Sequence, residues 1–275
     1  MQWLNNIIQN FFDFAAMARV LPTLVSTGLR NTLILAITST LLGLLIGMLI
    51  AVMGISRSPW LRIPARVYTD IFRGLPAIVT ILLIGQGLAQ VGLKIFGASP
   101  YPLGILALSL IASAYVGEIF RAGIQSVEKG QLEACRALGM SYAKGMRLVV
   151  IPQGVRRVLP ALVNQFISIV KDSSLVYFLG LLTSERELFR IGQDAAVNTG
   201  NLSPLVAAGV CYLVLTVPLT HLVNYIDKRL RTGRRITVVT SGLDELDELE
   251  GSIMATQEQP PAAPTMPVPP SRRPR

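Results

Sequence analysis

Between Arg30 and Arg57 the chain runs without one charged side chain. It does so again at 74–93, at 95–117 and from about Pro204 to Ile226. Each run exceeds the ~18 apolar residues that a membrane-crossing helix needs. In hydrocarbon every backbone N–H and C=O must be satisfied within the protein, which leaves helices and closed barrels. Barrel strands are far shorter than these runs. The pattern therefore dictates an all-α polytopic membrane protein. Composition agrees: 51% of the 275 residues are hydrophobic, mean hydropathy is +0.53 and 15% are charged, against about 25% in soluble domains.

A fifth span is expected over about 159–182, although Lys171 and Asp172 interrupt it. At about 1.5 Å per residue from Leu159, Lys171 lies roughly 18 Å deep. That is near the midplane of a core about 30 Å thick. The expected spans are thus about 31–54, 74–93, 103–123, 159–182 and 204–226, within a transmembrane domain of 23–230.

Basic residues give the orientation. They crowd the linker 57–73 (Arg57, Arg62, Arg66, Arg73), the segment 121–157 and the stretch 228–235. Only Arg19, Arg30, Lys94, Arg186 and Arg190 lie on the other side. The crowded side faces the cytoplasm, so the N-terminus is outside and the C-terminus inside. This placement explains the net charge of +9 without a nucleic-acid partner.

The two ends differ from the middle. No Lys or Arg precedes the first apolar residues, so no secretory signal is expected. Trp3, Leu4, Ile7, Ile8, Phe11, Phe12 and Ala15 share a helical face opposite Asn5, Asn6, Gln9, Asn10 and Asp13. Residues 1–22 therefore read as an amphipathic helix in the membrane interface, or as the buried face of a packed helix. Residues 231–275, with the acidic LDELDELE and a proline-rich end, read as a disordered cytoplasmic tail carrying at most a short turn on Leu243, Leu246 and Leu249.

Enzymatic chemistry finds little support. One histidine and two distant cysteines, Cys135 and Cys211, suggest neither a metal centre nor a disulfide. No GxxxxGK[ST] phosphate loop occurs, so ATP hydrolysis and a resident cofactor are not expected of this chain.

The cytoplasmic segment 128–152 is more than a connector. Residues 133–152 read EACRALGMSYAKGMRLVVIP. Gln131–Leu138 has helical composition, Gly139 suits a left-handed helix end, and Ser141 suits the N-cap of a second helix through Tyr142, Met146 and Val150. Pro152 is expected to bound that helix. A structured basic helix pair at the membrane surface points to docking with a cytoplasmic partner.

Here the residues carry a resemblance. Glu133-Ala134-Cys135, three residues, Gly139, nine residues, then Val149-Val150-Ile151-Pro152 is similar to the EAA signature of permease subunits of binding-protein-dependent ABC importers. NTLILAITSTLLGLLIG (31–47), DIFRGLPAIV (70–79), SAYVGEIFRAGIQSV (113–127) and NQFISIVKDSSLV (164–176) resemble the polar amino-acid subfamily. Cys135, Ile151, Glu128 and Leu75 depart from the common pattern. The resemblance implies a type I importer fold of five spans in the bacterial inner (plasma) membrane. It implies two ATPase subunits, a second permease (identical or related) and an extracytoplasmic amino-acid-binding protein as partners. By position, it assigns ATPase coupling to Glu133, Ala134, Cys135, Gly139, Met140 and Ser141.

Ionisable groups at membrane depth are functional candidates. Lys171, Asp172, Ser173, Ser174, Asn164 and Glu118 are expected to line the substrate path. The plainer readings are an ion pair or helix break at Lys171–Asp172 and an interfacial pair of Glu118 with Arg121. Gly43 and Gly47 form a small-xxx-small packing face. Rival functions are an ion-coupled secondary transporter and a non-transporting membrane scaffold.

Overall fold

The computed structural model describes residues 2–232, which are helices and connecting turns. The chain divides into two units, Met1–Leu230 and Arg231–Arg275. Of the second, only Arg231 and Thr232 are described, so the sequence reading of the tail lies outside the described residues.

The expected single helix over 1–22 is two helices, α1 (Gln2–Phe11) and α2 (Phe14–Thr23). Asp13, assigned from sequence to a polar face, caps α2 instead: its carboxylate accepts the N–H groups of Ala15 and Ala16, both at 3.0 Å. A π-turn at Leu24–Gly28 then joins α2 to α3 (Leu29–Gly54), so the first span is helical well before residue 31.

The linker 57–73 is itself a helix, α4 (Pro59–Gly74). It meets α5 (Ala77–Gly87) at a bend of 105°. Pro76 causes the bend, because a residue before proline avoids the helical region; Leu75 sits at φ −82°, ψ 140°. The apolar run 74–93 is therefore not one straight helix. After Leu88 it continues as α6 (Ala89–Phe96).

The central element is α7 (Tyr101–Gln125), packed by α3, α4, α5 and α10. Gly43 and Gly47 do form a packing face: a Cβ on Gly47 would lie 2.7 Å from Val116 and 2.9 Å from the Ser113 carbonyl. In a membrane, such close approach supplies much of the helix association. Beyond α7 come α8 (Lys129–Ala137), α9 (Tyr142–Gly145), α10 (Ile151–Asp172), α11 (Leu188–Thr199) and α12 (Ser203–Thr232).

Three helical stretches among the described residues are long and apolar enough to cross a membrane: Ile7–Gly54, Tyr101–Gln125 and Ser203–Lys228. The bent pair α4–α5 adds a fourth if it counts as one span. At 22 residues, α10 is long enough, but Arg156, Arg157, Lys171 and Asp172 make it too polar to stand alone in lipid.

The crossing of α7 and α10 is tightest at Gly123 and Gly154. A Cβ on Gly154 would lie 2.9 Å from the Gly123 carbonyl oxygen and from the Ile124 backbone. Backbone cannot yield as a side chain does, and overpacking typically costs about 1–3 kcal/mol. Gly154→Val is expected to lower the melting temperature in detergent by several degrees. Gly130→Ala, whose Cβ meets nothing within 4 Å, should melt like the parent. Equal melting of all three proteins would rule out the tight crossing.

Candidate functional site

Leu132 and Cys135 lie one turn apart on α8 and press on Gly145 of α9. A Cβ there would come 3.0 Å from Leu132 and 3.2 Å from Cys135. Cys135 is only 6% exposed, so it builds the helix pair from inside. At the end of α8 the Met140 N–H donates to the Cys135 carbonyl and the Gly139 N–H to the Arg136 carbonyl, both at 3.0 Å. With Gly139 at φ +78°, this is the Schellman closure of a helix. Ser141 caps α9, its hydroxyl accepting the Lys144 N–H at 3.3 Å.

The second helix does not stop at Pro152. From Met146 to Val150 the chain makes a π-turn, and the Ile151 N–H donates to the Met146 carbonyl. This extra residue shifts the hydrogen-bond ladder just before proline, which lacks an N–H and would crowd the carbonyl four residues back. Helix therefore runs without a loop from Tyr142 to Asp172, about 45 Å at 1.5 Å per residue. Gln153 donates to Gln131 at 3.2 Å, tying α10 to α8. Arg157 donates to the Ser126 carbonyl at the end of α7.

The outer face of this pair is left uncovered. Glu133, Ala134, Ala137, Gly139 and Ser141 are exposed, Met140 is half-buried, and Leu138 is 82% exposed. Leu138 was not singled out from sequence. Its signal was an isolated large apolar residue beside the helix-ending glycine.

Asn164, Ser168 and Lys171 recur along α10 at intervals of four and three, so they share a face. Ile167, Ile169 and Val170 are buried, and the last two pack with Ala36 and Ala112. Asn164 and Lys171 are exposed, and Asp172 and Ser174 are half-buried. Lys171 and Asp172 form no salt bridge with each other or with another described residue. The α-helix ends at Asp172 and continues as a 3-10 turn to Leu179. The Ser174 hydroxyl donates to the Lys171 carbonyl at 2.7 Å. Ser173 corrects the expectation: it is fully buried, with its hydroxyl on the Val170 carbonyl at 2.7 Å, because the tighter turn rotates it into the bundle.

Glu118 lies apart from these. Arg121 grips it with two hydrogen bonds, at 3.0 and 2.7 Å, and Arg73 stands 3.7 Å away. The interfacial pair is thus present, with a third member contributed by α4. Together with Arg66, Asp70 and Gln125 these groups line a cavity of about 320 Å3. Sequence reading missed the α4 contribution by treating its arginines only as orientation markers. The four-residue spacing of Arg62, Arg66 and Asp70 was the available signal.

On the opposite side, Glu187 is fully buried. It caps α11 by accepting the Phe189 and Arg190 N–H groups, at 2.5 and 2.7 Å, and it accepts the Tyr212 hydroxyl at 3.0 Å. It thereby fastens α11 to α12.

A family model described as "Binding-protein-dependent transport system inner membrane component" matches residues 43–232. The chain is similar to the arginine transport system permease protein ArtQ of Bacillus subtilis, 35% identical over 80% of this chain and 98% of that protein. It is similar to the glutamate/aspartate import permease protein GltK of Escherichia coli O157:H7, 34% identical over 79% and 98%. Among solved structures, one described as an amino acid ABC transporter with histidines superposes with a TM-score of 0.70 at 35% identity, covering 79% of this chain and 98% of that one. The methionine transporter MetNI, at 19% identity and TM-score 0.63, shares the fold.

Proposed function

The chain belongs to the family of binding-protein-dependent transport system inner membrane components, and from that premise we propose that it is the permease subunit of an ATP-driven importer of polar amino acids. The observation that carries this reading is the exposed α8 face of Glu133, Ala134, Ala137 and Leu138, on a helix that packs through Leu132 and Cys135 onto Gly145 at the start of the helix running on to the polar stripe of α10. An apolar, close-approach surface at a rigid helix end suits a groove in an ATPase subunit. Glu133, Ala134, Leu138, Gly139, Met140 and Ser141 make that contact, and Cys135 supports it from within.

The stripe on α10 supplies the second half. A lysine left at membrane depth needs water or a partner. A second permease subunit, identical or related, covers this face and leaves a wet path between the two. Asn164, Lys171, Asp172 and Ser174 meet the ammonium and carboxylate of the passing amino acid. With the partner in place α10 becomes a span, which completes five. An extracytoplasmic binding protein delivers substrate, and two ATPase subunits close on ATP and push α8. The relatives' names, which mention arginine and glutamate/aspartate, favour polar amino acids as cargo.

Proteoliposomes holding the co-purified complex should accumulate an amino acid only with internal ATP and the binding protein. Uptake driven by an ion gradient without an ATPase would instead identify a secondary transporter. A complex without substrate-stimulated hydrolysis would be a scaffold.

Orientation has its own test. Cys135 is buried, so introduced thiols serve better. Lys144→Cys should react with a membrane-impermeant maleimide in inside-out vesicles, and Asn198→Cys in intact cells. The reverse pattern would place α8 outside, out of reach of any ATPase.

A further inference from the structure

Helix α4 carries its charges on one face. Arg62, Arg66, Asp70 and Arg73 follow one another at intervals of four, four and three residues, while Ile63, Val67 and Ile71 form a second face. Ala65 and Thr69 are the buried contacts with the bundle. Tyr68, on the same helix, donates to the Leu110 carbonyl at 3.2 Å and lies 2.6 Å from the Ser113 hydroxyl, midway along α7. The charged face is therefore held at membrane depth beside the central helix.

Its charges are not consumed internally. Arg121 occupies both oxygens of Glu118 and spends a further N–H on Gln125 at 2.9 Å. Arg73 approaches that carboxylate only to 3.7 Å and lies over the Tyr115 ring, 5.4 Å from its centroid. Arg66 and Asp70 make no hydrogen bond or salt bridge among the described residues. Two guanidiniums and one carboxylate thus border the cavity of about 320 Å3 with donors and acceptors unused.

We propose that this cavity is a second binding site for the α-amino-acid head group, on the cytoplasmic half of the path. The carboxylate lies across Arg66 and Arg73, whose planar forks match it, and the ammonium meets Asp70. Three cationic and two anionic side chains line the space, so the local field favours the carboxylate end. The volume is at the lower limit of small-molecule pockets, roughly 300–1,000 Å3, enough for the head group with the side chain left toward the opening. Glu118 and Arg121 act as positioning residues that hold Arg73 against Tyr115. The site is separate from the α10 stripe and receives substrate after it. It rests on the importer reading.

The test uses the complete transporter complex, purified without nucleotide or binding protein. Equilibrium binding of radiolabelled L-arginine, L-glutamine and L-glutamate is measured to wild type, Arg66→Gln/Arg73→Gln, Asp70→Asn and Lys171→Met. The head group is common to the three ligands, so wild type should bind at least one. The paired arginine variant and Asp70→Asn should each lose at least about tenfold in affinity, as expected for a charged hydrogen bond. Lys171→Met should remove only the α10 component of binding and leave the component that the α4 variants remove, and the amide of the same amino acid, which lacks the carboxylate, should bind to neither site. Since Asp70 makes no hydrogen bond or salt bridge among the described residues, Asp70→Asn should melt like the parent, and the paired arginine variant should lose no more than the long Arg73–Glu118 contact and the Tyr115 stacking contribute.

Uptake by wild-type proteoliposomes is measured in parallel. Uptake with binding unaltered by the α4 variants overturns the second site and leaves the importer standing. Absence of both uptake and binding overturns both. A drop in melting temperature equal to the loss of binding would make the cluster an inter-helix brace and also overturn the site.

Discussion

Leu138→Asp is expected to release the ATPase subunit while leaving the permease folded. The side chain is 82% exposed, so within the chain the change removes almost no packing. In a docked groove the same change removes a buried leucine, worth about 1.5–3 kcal/mol, and forces a carboxylate into an apolar pocket. The contact should weaken at least about 10–100-fold. Gly139→Val reaches the same end by another route. At φ +78° a Cβ there meets nothing within 4 Å, so the penalty is backbone strain, about 1–2 kcal/mol for a residue forced left-handed. That is too little to unfold the protein, yet it opposes the two hydrogen bonds that close α8. Glu133→Lys, reversing one charge on the same face, should act in the same direction. The measurement is ATPase co-purification together with substrate-stimulated hydrolysis in reconstituted vesicles. Parental values in both Leu138→Asp and Gly139→Val would remove α8 from the coupling path, and the functional proposal would lose its main support.

What made α8 legible was local chemistry. Gly139, Ser141 and the helix-forming residues before them specify a stop and a restart through contacts with near neighbours. The structure has both, with the expected φ and the expected cap. The run around Pro152 was less legible, since a proline marks a boundary only while the hydrogen-bond ladder keeps its register. One extra residue in the ladder, at Met146–Val150, removes the conflict. Propensity does not announce that shift, because it is a change of hydrogen-bond register and not of residue preference.

The same division holds in the membrane. Apolar runs disclosed α3, α7 and α12, because length and composition alone decide whether a helix can sit in lipid. They misjudged α4, whose arginines suggested a cytoplasmic linker. Its amphipathic spacing was visible, but its partner wall of Glu118, Arg121 and Gln125 lies some fifty residues away and meets it only in the fold. Asp13 and Ser173 were placed on the wrong faces for a related reason. Each sits where a helix begins or tightens, and a constant period of 3.6 residues fails there.

Helix runs without a loop from Tyr142 to Asp172, and α8 is fastened to its start by Leu132 and Cys135 on Gly145 and by the Gln153–Gln131 hydrogen bond, so the proposed docking surface is tied to the element that carries the polar stripe. On the proposed function, a displacement of α8 would pass through those contacts along α10 to its far end, where the α-helix gives way to the 3-10 turn at Ser173–Leu179. Lys171 and Asp172 stand at that transition. Asp172→Asn and Lys171→Met are therefore expected each to lower uptake by about tenfold or more, the loss of one charged hydrogen bond to substrate. Neither should disturb assembly. Breaking a buried ion pair typically costs about 3–5 kcal/mol because it strands the surviving charge, but these two residues form no such pair among the described residues. Yield, melting temperature and ATPase co-purification should match the parent while uptake falls. Lost assembly in either variant would recast the stripe as an inter-subunit seam. Parental uptake in both would take the substrate path away from α10 altogether.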